Sequence, residues 1–264
     1  MSLNRCRFWY ETDGDRLDFT FYGGFPIDYP SGVDGLMATV SKNKSLDGIG
    51  SEIQLSQVPE RPMSFSGYIV TQDTAQEERK LHRMFAPLKK GRLYAETAEH
   101  EVFFLDCYSA AEPTVQGKRR FPRFLVQITA SYPYWQADES KTLSLRMTGT
   151  GSMGTVSVES DVDAVYSAVF SCSGGSCRNL TLTDRQSGFG IYYTGTLSSG
   201  EQLSVTISEF GRVAASIGGR NVIGLVEADL KKLPAGARVL ELSASENSGT
   251  VTAEFTYREA RAGV

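Results

Sequence analysis

Alternation with a period of two runs through most of the chain. In residues 61–70, RPMSFSGYIV, positions Met63, Phe65, Gly67 and Ile69 share one face. This is the signature of a strand with one side against a core. Residues 123–131, RFLVQITAS, repeat it with Phe124, Val126, Ile128 and Ala130. Residues 101–108, EVFFLDCY, are more continuously apolar and predict a strand covered on both faces. One segment changes to helical spacing: DTAQEERKLHRMFAPL predicts a helix over residues 73–86. Asp73 is a suitable N-cap, with Gln76 three residues on to complete a capping box. Glu77 and Glu78 favour the positive end of the helix dipole. Leu81, Met84, Phe85 and Leu88 form the expected buried stripe, with Pro87 ending the helix near Phe85.

The pattern changes character after the aromatic and proline cluster Ser131-Tyr-Pro-Tyr-Trp-Gln136. Beyond it Gly, Ser and Thr rise, prolines nearly vanish, and both histidines lie behind. From Lys141 onward every element predicts a short strand between turns: LSLRM, VSVES, YSAVFS, NLTLTD, GIYYTG, QLSVTI, RVAASI, RVLELSAS and TVTAEFTYR. Such close spacing is that of a β-sandwich or jelly roll. The expected architecture is mainly β, with an N-terminal β-sandwich domain over 1–136 and a second β-sandwich over 137–264. A chain of 264 residues is long enough for two such cores.

Composition adds limits. Apolar residues make up 41% and charged residues 22%, as in a water-soluble globular chain. A net charge of −4 gives no reason to expect general binding to nucleic acid or anionic lipid. No apolar run is long enough to cross a bilayer as a helix. The opening MSLNRCRFWYETDG lacks a long apolar core and cleavage site, so no signal peptide is expected. Four cysteines in a chain of this length point to synthesis in a reducing compartment. The sequons at Asn43 and Asn179 are then chance occurrences.

The motifs that suggest chemistry have plainer readings. Gly149, Gly151 and Gly154 match GxGxxG. That fingerprint requires a following helix to receive a pyrophosphate, and TVSVESDV alternates as a strand. A glycine-rich β-turn is expected instead. The CSGGSC segment, Cys172 to Cys177, lies between strand-like segments and lacks the paired ligands of a zinc site. It predicts a four-residue hairpin loop with the cysteines facing across its base. They are read as unpaired thiols, with a cross-strand disulfide and a metal site as the alternatives. His82 can pair with Glu78 one turn earlier on the helix, and His100 is flanked by Glu99 and Glu101. Both read as surface residues, without a nucleophile or ligand partner. Asp161 and Asp163 are expected on one face of a strand, where a calcium or sugar contact is the sharper reading and solvation the plainer one. The basic stretch from Gln116 to Arg123, QGKRRFPR, reads as a solvated turn or a partner contact, with phosphate contact to a nucleic acid as the sharper alternative. No catalytic, cofactor-binding or metal-ligating residue is therefore assigned, and no enzyme activity is expected.

Three stretches carry a resemblance to a known family. The first is RPMSFSGYIV, the helix EERKLHRMFAP and the strand KKGRLYAET. The second is RFLVQITASYPYWQ. The third is RNLTLTD through SGEQLSVTI and LKKLPAGARVLELSAS to GTVTAEFTYRE. In this order, over roughly residue 60 to the end, they resemble the distal tail proteins of siphovirus-type bacteriophages. Ser131 and Tyr132 stand where the family's exit motif often has aspartate. Ala237-Arg238 replaces its usual asparagine after Leu-Pro-x-Gly. The resemblance implies a galectin-like second domain and a homohexameric ring in the virion tail. Such a ring joins the tail tube to the tip or baseplate and its receptor-binding proteins, and DNA passes through its lumen without specific binding. Residues 41–62, SKNKSLDGIGSEIQLSQVPERP, fit a projecting hairpin that would gain order against a neighbouring subunit. The rival reading is a carbohydrate-binding adhesin, with Tyr192, Tyr193 and Phe210 as its candidate aromatics. Alternation turns at least one of the two tyrosines inward.

Overall fold

The computed structural model describes residues 6–28, 30–44, 51–117, 121–149, 151–228 and 232–264. It divides into two compact units: residues 1–137 with 262–264, and residues 138–261. The last three residues thus belong with the first unit.

In the first unit β1 (Arg7–Thr12) and β2 (Asp15–Asp18) form a hairpin. A separate hairpin follows, β3 (Thr39–Lys44) and β4 (Ser51–Gln57). Then come β5 (Arg61–Tyr68), α1 (Thr74–Met84), β6 (Lys90–Glu96) and β7 (Val102–Ser109). The unit closes with β8 (Thr114–Gln116), β9 (Arg123–Ala130) and β10 (Trp135–Ala137). The main sheet runs β2-β1-β6-β7-β10. The last residues of β7, Cys107–Ser109, also pair with β9, which carries β5 and β8. This bends the sheet, so that β5 and β9 share one core with β1, β6 and β7.

The alternation explains that core. Met63, Phe65 and Ile69 are buried, as are Phe124, Val126, Ile128 and Ala130. Gly67 is needed where it stands: a Cβ there would meet the Pro26 carbonyl at 2.1 Å. In β7, Phe103 and Leu105 face the core, and Phe104 on the opposite face is buried as well.

Helix α1 closes the core with Leu81 and Met84, followed by buried Phe85. Asp73 caps it, its Oδ1 accepting from the Gln76 amide at 2.9 Å. Leu88 departs from the expected stripe. The chain leaves the helix at Phe85, Leu88 adopts a positive φ of 63°, and its side chain is 78% exposed.

The second unit is a two-sheet sandwich. Its strands are β11 (Lys141–Met147), β12 (Gly151–Val158), β13 (Val165–Ser173), β14 (Ser176–Asp184) and β15 (Phe189–Ser198). They continue with β16 (Gln202–Ile207), β17 (Val213–Ile217), β18 (Arg220–Asn221) and β19 (Val226–Ala228). The long β20 (Gly236–Asn247) and β21 (Thr250–Arg258) complete it. One sheet runs β11-β21-β13-β16-β17-β18 and the other β12-β20-β14-β15-β19. Inward residues of both, among them Phe170, Phe255, Leu182 and Leu242, form one hydrophobic cluster.

Candidate assembly interface

The residues considered for chemistry do not converge. His82 lies on α1. His100 sits in the turn before β7, 86% exposed, with Nδ1 3.0 Å from Glu96 Oε1 in place of its sequence neighbours Glu99 and Glu101. Asp161 and Asp163 lie in the bend between β12 and β13, not on a strand face, because the chain is crossing there from one sheet to the other. Asp161 donates its amide to the Ala260 carbonyl at 2.9 Å. Among the described residues no group of three or more His, Cys, Asp or Glu side chains could hold a metal. Gly151 and Gly154 are strand residues of β12. A Cβ on Gly154 would meet a Leu145 methyl at 2.6 Å. In the basic stretch, Lys118, Arg119 and Arg120 lie outside the described residues, while Arg123 pairs with Asp28 at 2.7 Å.

CSGGSC turns the chain, but not as a hairpin. β13 already has β16 and β21 as neighbours, which leaves no edge for β14. Gly174 and Gly175 therefore carry the chain across to the opposite sheet, with Gly174 at φ 71°. β20 and β21 cross through Ser248-Gly249 alongside. The two crossings press together. A Cβ on Gly175 would lie 2.7 Å from Ser248, and one on Gly249 would lie 2.6 Å from the Ser173 carbonyl. The Ser176 amide donates to Ser248 Oγ at 3.0 Å, and the Ser248 amide donates to the Ser176 carbonyl at 3.0 Å. Cys172 and Cys177 are both buried and free.

What the first unit does present is surface suited to a partner. β3 and β4 form a two-stranded sheet of their own, and among the described residues neither pairs with another strand. A strand edge without a partner strand is the template for a third strand. The segments at its base expose Met37 (84%) and Val58.

A second feature is the aromatic turn Phe19-Thr-Phe-Tyr-Gly-Gly-Phe25. Phe19 and Phe25 are buried anchors, and Phe25 donates its amide to the Thr20 carbonyl at 3.0 Å. Thr20 Oγ1 accepts from the Gly23 amide at 3.0 Å, and Gly24 adopts φ 81°. The tip holds Phe21 and Tyr22 in an edge-to-face pair, 66% and 100% exposed. Two exposed aromatics on a braced turn cost little entropy to bury. Alternation does not reveal this turn; its signal in the sequence is the density of aromatics around Gly23-Gly24.

The third feature is a ladder on the face of the main sheet away from the core. Cross-strand register lines up Asp18, Trp9, Tyr94, Phe104 and Gln136. Trp9 and Tyr94 stack at 5.0 Å, the Arg16 guanidinium sits 4.7 Å over the Trp9 ring, and that of Arg92 sits 4.0 Å over Phe104. Arg16 binds Asp18, Arg7 bridges Asp18 to Glu96, and Arg92 binds Asp106. The hydrogen bond from Arg16 is the main cause that holds the Asp18 carboxyl below its ordinary range. Trp9 and Phe104 are themselves buried, 8% and 1% exposed, so what this face exposes is chiefly arginine and carboxylate.

In the second unit Tyr193 is buried, as alternation requires, and Tyr192 and Phe210 are exposed. Tyr192 stands on β15 in one sheet, and Phe210 lies in the turn between β16 and β17 of the other. Among the described residues no helix is long and apolar enough to cross a membrane.

The path of the chain through both units decides the fold. It matches the Dit protein of phage SPP1, described as a hub of the adsorption apparatus in phages infecting Gram-positive bacteria. The TM-score is 0.68 over 96% of this chain and 98% of that one. The chain has the Dit fold. A chain of the phage P2 baseplate, in its activated conformation with calcium, matches with a TM-score of 0.55 over 98% of this chain and 99% of that one. The same baseplate with strontium gives 0.52 over 99% and 100%. Identity is 11% in each case, so the likeness is one of chain path. No family model matches the sequence, and no curated protein matches it.

Proposed function

We propose that this chain is the hub of a phage tail tip. It is a structural protein of the virion that closes into a homohexameric ring and joins the tail tube to the baseplate. The observation that carries this reading is end-to-end coverage: the Dit fold accounts for both units, with 98% of the SPP1 protein matched. In this reading the first unit forms the ring. The β3–β4 arm reaches a neighbouring copy and pairs with its backbone, and the Phe21–Tyr22 turn fills a pocket on it. A head-to-tail contact of this kind closes when the rotation per subunit divides a full turn. The second unit faces outward and docks tip or receptor-binding proteins, and DNA passes through the lumen without specific contacts. Gold-labelled antibody against the chain, applied to phage particles from the strain that encodes it, tests the assignment. Label at the distal end of the tail supports it. Label on the capsid, or on no particle, refutes it.

A further inference from the structure

Cys172 is the last inward residue of β13 and Cys177 the first of β14, in opposite sheets of the second unit. Two glycines and two serines separate them. Their exposures are 2% and 1%, and both belong to the hydrophobic core between the sheets. The backbone of each is fixed. The Gly200 amide donates to the Cys172 carbonyl at 2.8 Å, and Cys177 is paired opposite Leu197 on one side and Asn247 on the other. The Cys172 thiol turns back toward its own crossing, 3.5 Å from the Gly175 carbonyl, and the Cys177 side chain is buried in the same cluster at the other end of that crossing.

We propose that Cys172 and Cys177 are a latent disulfide, reduced when the chain folds and closed by a small-molecule disulfide when the protein meets an oxidising medium. The step is an exchange. One cysteine thiol loses its proton and its sulfur attacks an oxidised thiol compound, RSSR. The attack breaks the S–S bond of RSSR, leaving a mixed disulfide on the cysteine and expelling one RS⁻, which takes up the proton. The second cysteine then displaces the remaining RS group. Two cysteine thiols give up two electrons in all, and one RSSR becomes two RSH. Burial, followed by the neighbouring Cys172 thiol, raises the Cys177 pKa to about 11, so the exchange waits on local opening of the Gly174-Gly175 crossing and speeds up in alkali. The bond ties one sheet to the other at the end where the crossings gather. It closes only a short loop, so the gain is modest, a rise in Tm of roughly 5 °C. The inference stands whether or not the chain is a tail hub.

The unaltered protein provides the test. Trypsin leaves Cys172 and Cys177 together in one peptide, residues 147–178, with no Lys or Arg between its ends. The native chain is incubated with oxidised glutathione or with a reductant, then denatured, alkylated and digested. The expected result after oxidation is that this peptide escapes alkylation and weighs about 2 Da less than its reduced, unalkylated form, while the buried Cys107 alkylates in both samples. Full alkylation of the peptide after prolonged oxidation overturns the proposal. So does a stable glutathione adduct on either cysteine, or a link between chains.

Discussion

The guanidinium of Arg61 donates to the carbonyl of Ala262, 201 positions along the chain. The arginine is 3% exposed and also reaches the Val33 carbonyl at 3.5 Å, which accepts in addition from Trp135 Nε1 at 3.1 Å. Gly263 lies against Asp34, so closely that a Cβ would meet its carbonyl at 2.2 Å. A buried cation therefore holds the residues after the second unit onto the core of the first. Burial lowers its pKa to about 10 without discharging it at neutral pH.

Arg61→Ala leaves those carbonyls without their charged donor. It should destabilise the first unit by roughly 2–4 kcal/mol. Removing residues 262–264 should produce a loss of the same sign and similar size. The two changes combined should cost little more than either alone, because they break the same contact. Chemical denaturation followed through the Trp fluorescence reads this directly, since Trp9 and Trp135 both lie in the first unit.

The glycines of CSGGSC differ in what they require. Gly174 has open space around its Cβ position but a positive φ of 71°. Gly174→Ala should cost about 1–2 kcal/mol, and Gly174→Asn less. Gly175 faces the backbone of Ser248 and Gly249. Gly175→Ala must force two sheet crossings apart and should cost the second unit more, about 2–4 kcal/mol. Thermal melts of the two variants should fall in that order.

Cys177 also sets a pH dependence. Its folded pKa of about 11 lies above the ordinary thiol range near ~8.5, so the unfolded chain ionises first. Below that range both states are neutral and stability is full. Between about pH 8.5 and 11 the folded state progressively loses stability, by up to about 3 kcal/mol at the upper end. Tyr193, raised chiefly by burial, adds loss of the same sign at the upper end. Stability of the reduced protein, measured in denaturant across this range, should fall with pH. The Cys177→Val variant should fall less steeply.

The exposed aromatics test the interface without touching the fold. Phe21 and Tyr22 contribute little to the core, so Phe21→Ser with Tyr22→Ser should change stability by no more than about 0.5 kcal/mol. Self-association should weaken by roughly tenfold or more. Sedimentation across a concentration series separates the two effects.

The strands of the second unit were legible because each has one wet face and one dry one. All nine alternating segments after Lys141 are strands in the structure. Helix α1 was legible from Asp73 and the Leu81–Met84–Phe85 spacing. Leu88 was not, because its fate rests on a positive φ in the exit turn and not on periodicity. The CSGGSC segment reads as a hairpin in the sequence and is a sheet crossing in the structure for a related reason. A tight glycine turn looks the same whether the next strand pairs with the last or crosses to the facing sheet, and only long-range pairing distinguishes them. The Trp9–Tyr94–Phe104 ladder depends on register between three strands, which no local pattern encodes. The β3–β4 arm showed itself as polar sequence too long for a turn and too poor in apolar residues for a core.

The central claim is that this chain's surface is built to fit copies of itself into a closed circle. Negative-stain electron microscopy of the purified protein, paired with native mass spectrometry over a wide concentration range, tests it most directly. The account predicts six-fold rings with an open centre at high concentration, lost when residues 39–57 are replaced by a short Gly-Ser link. Monomers at every concentration up to about 100 μM, well above the dissociation constant of a stable interface, or an open filament in place of a ring, would contradict it.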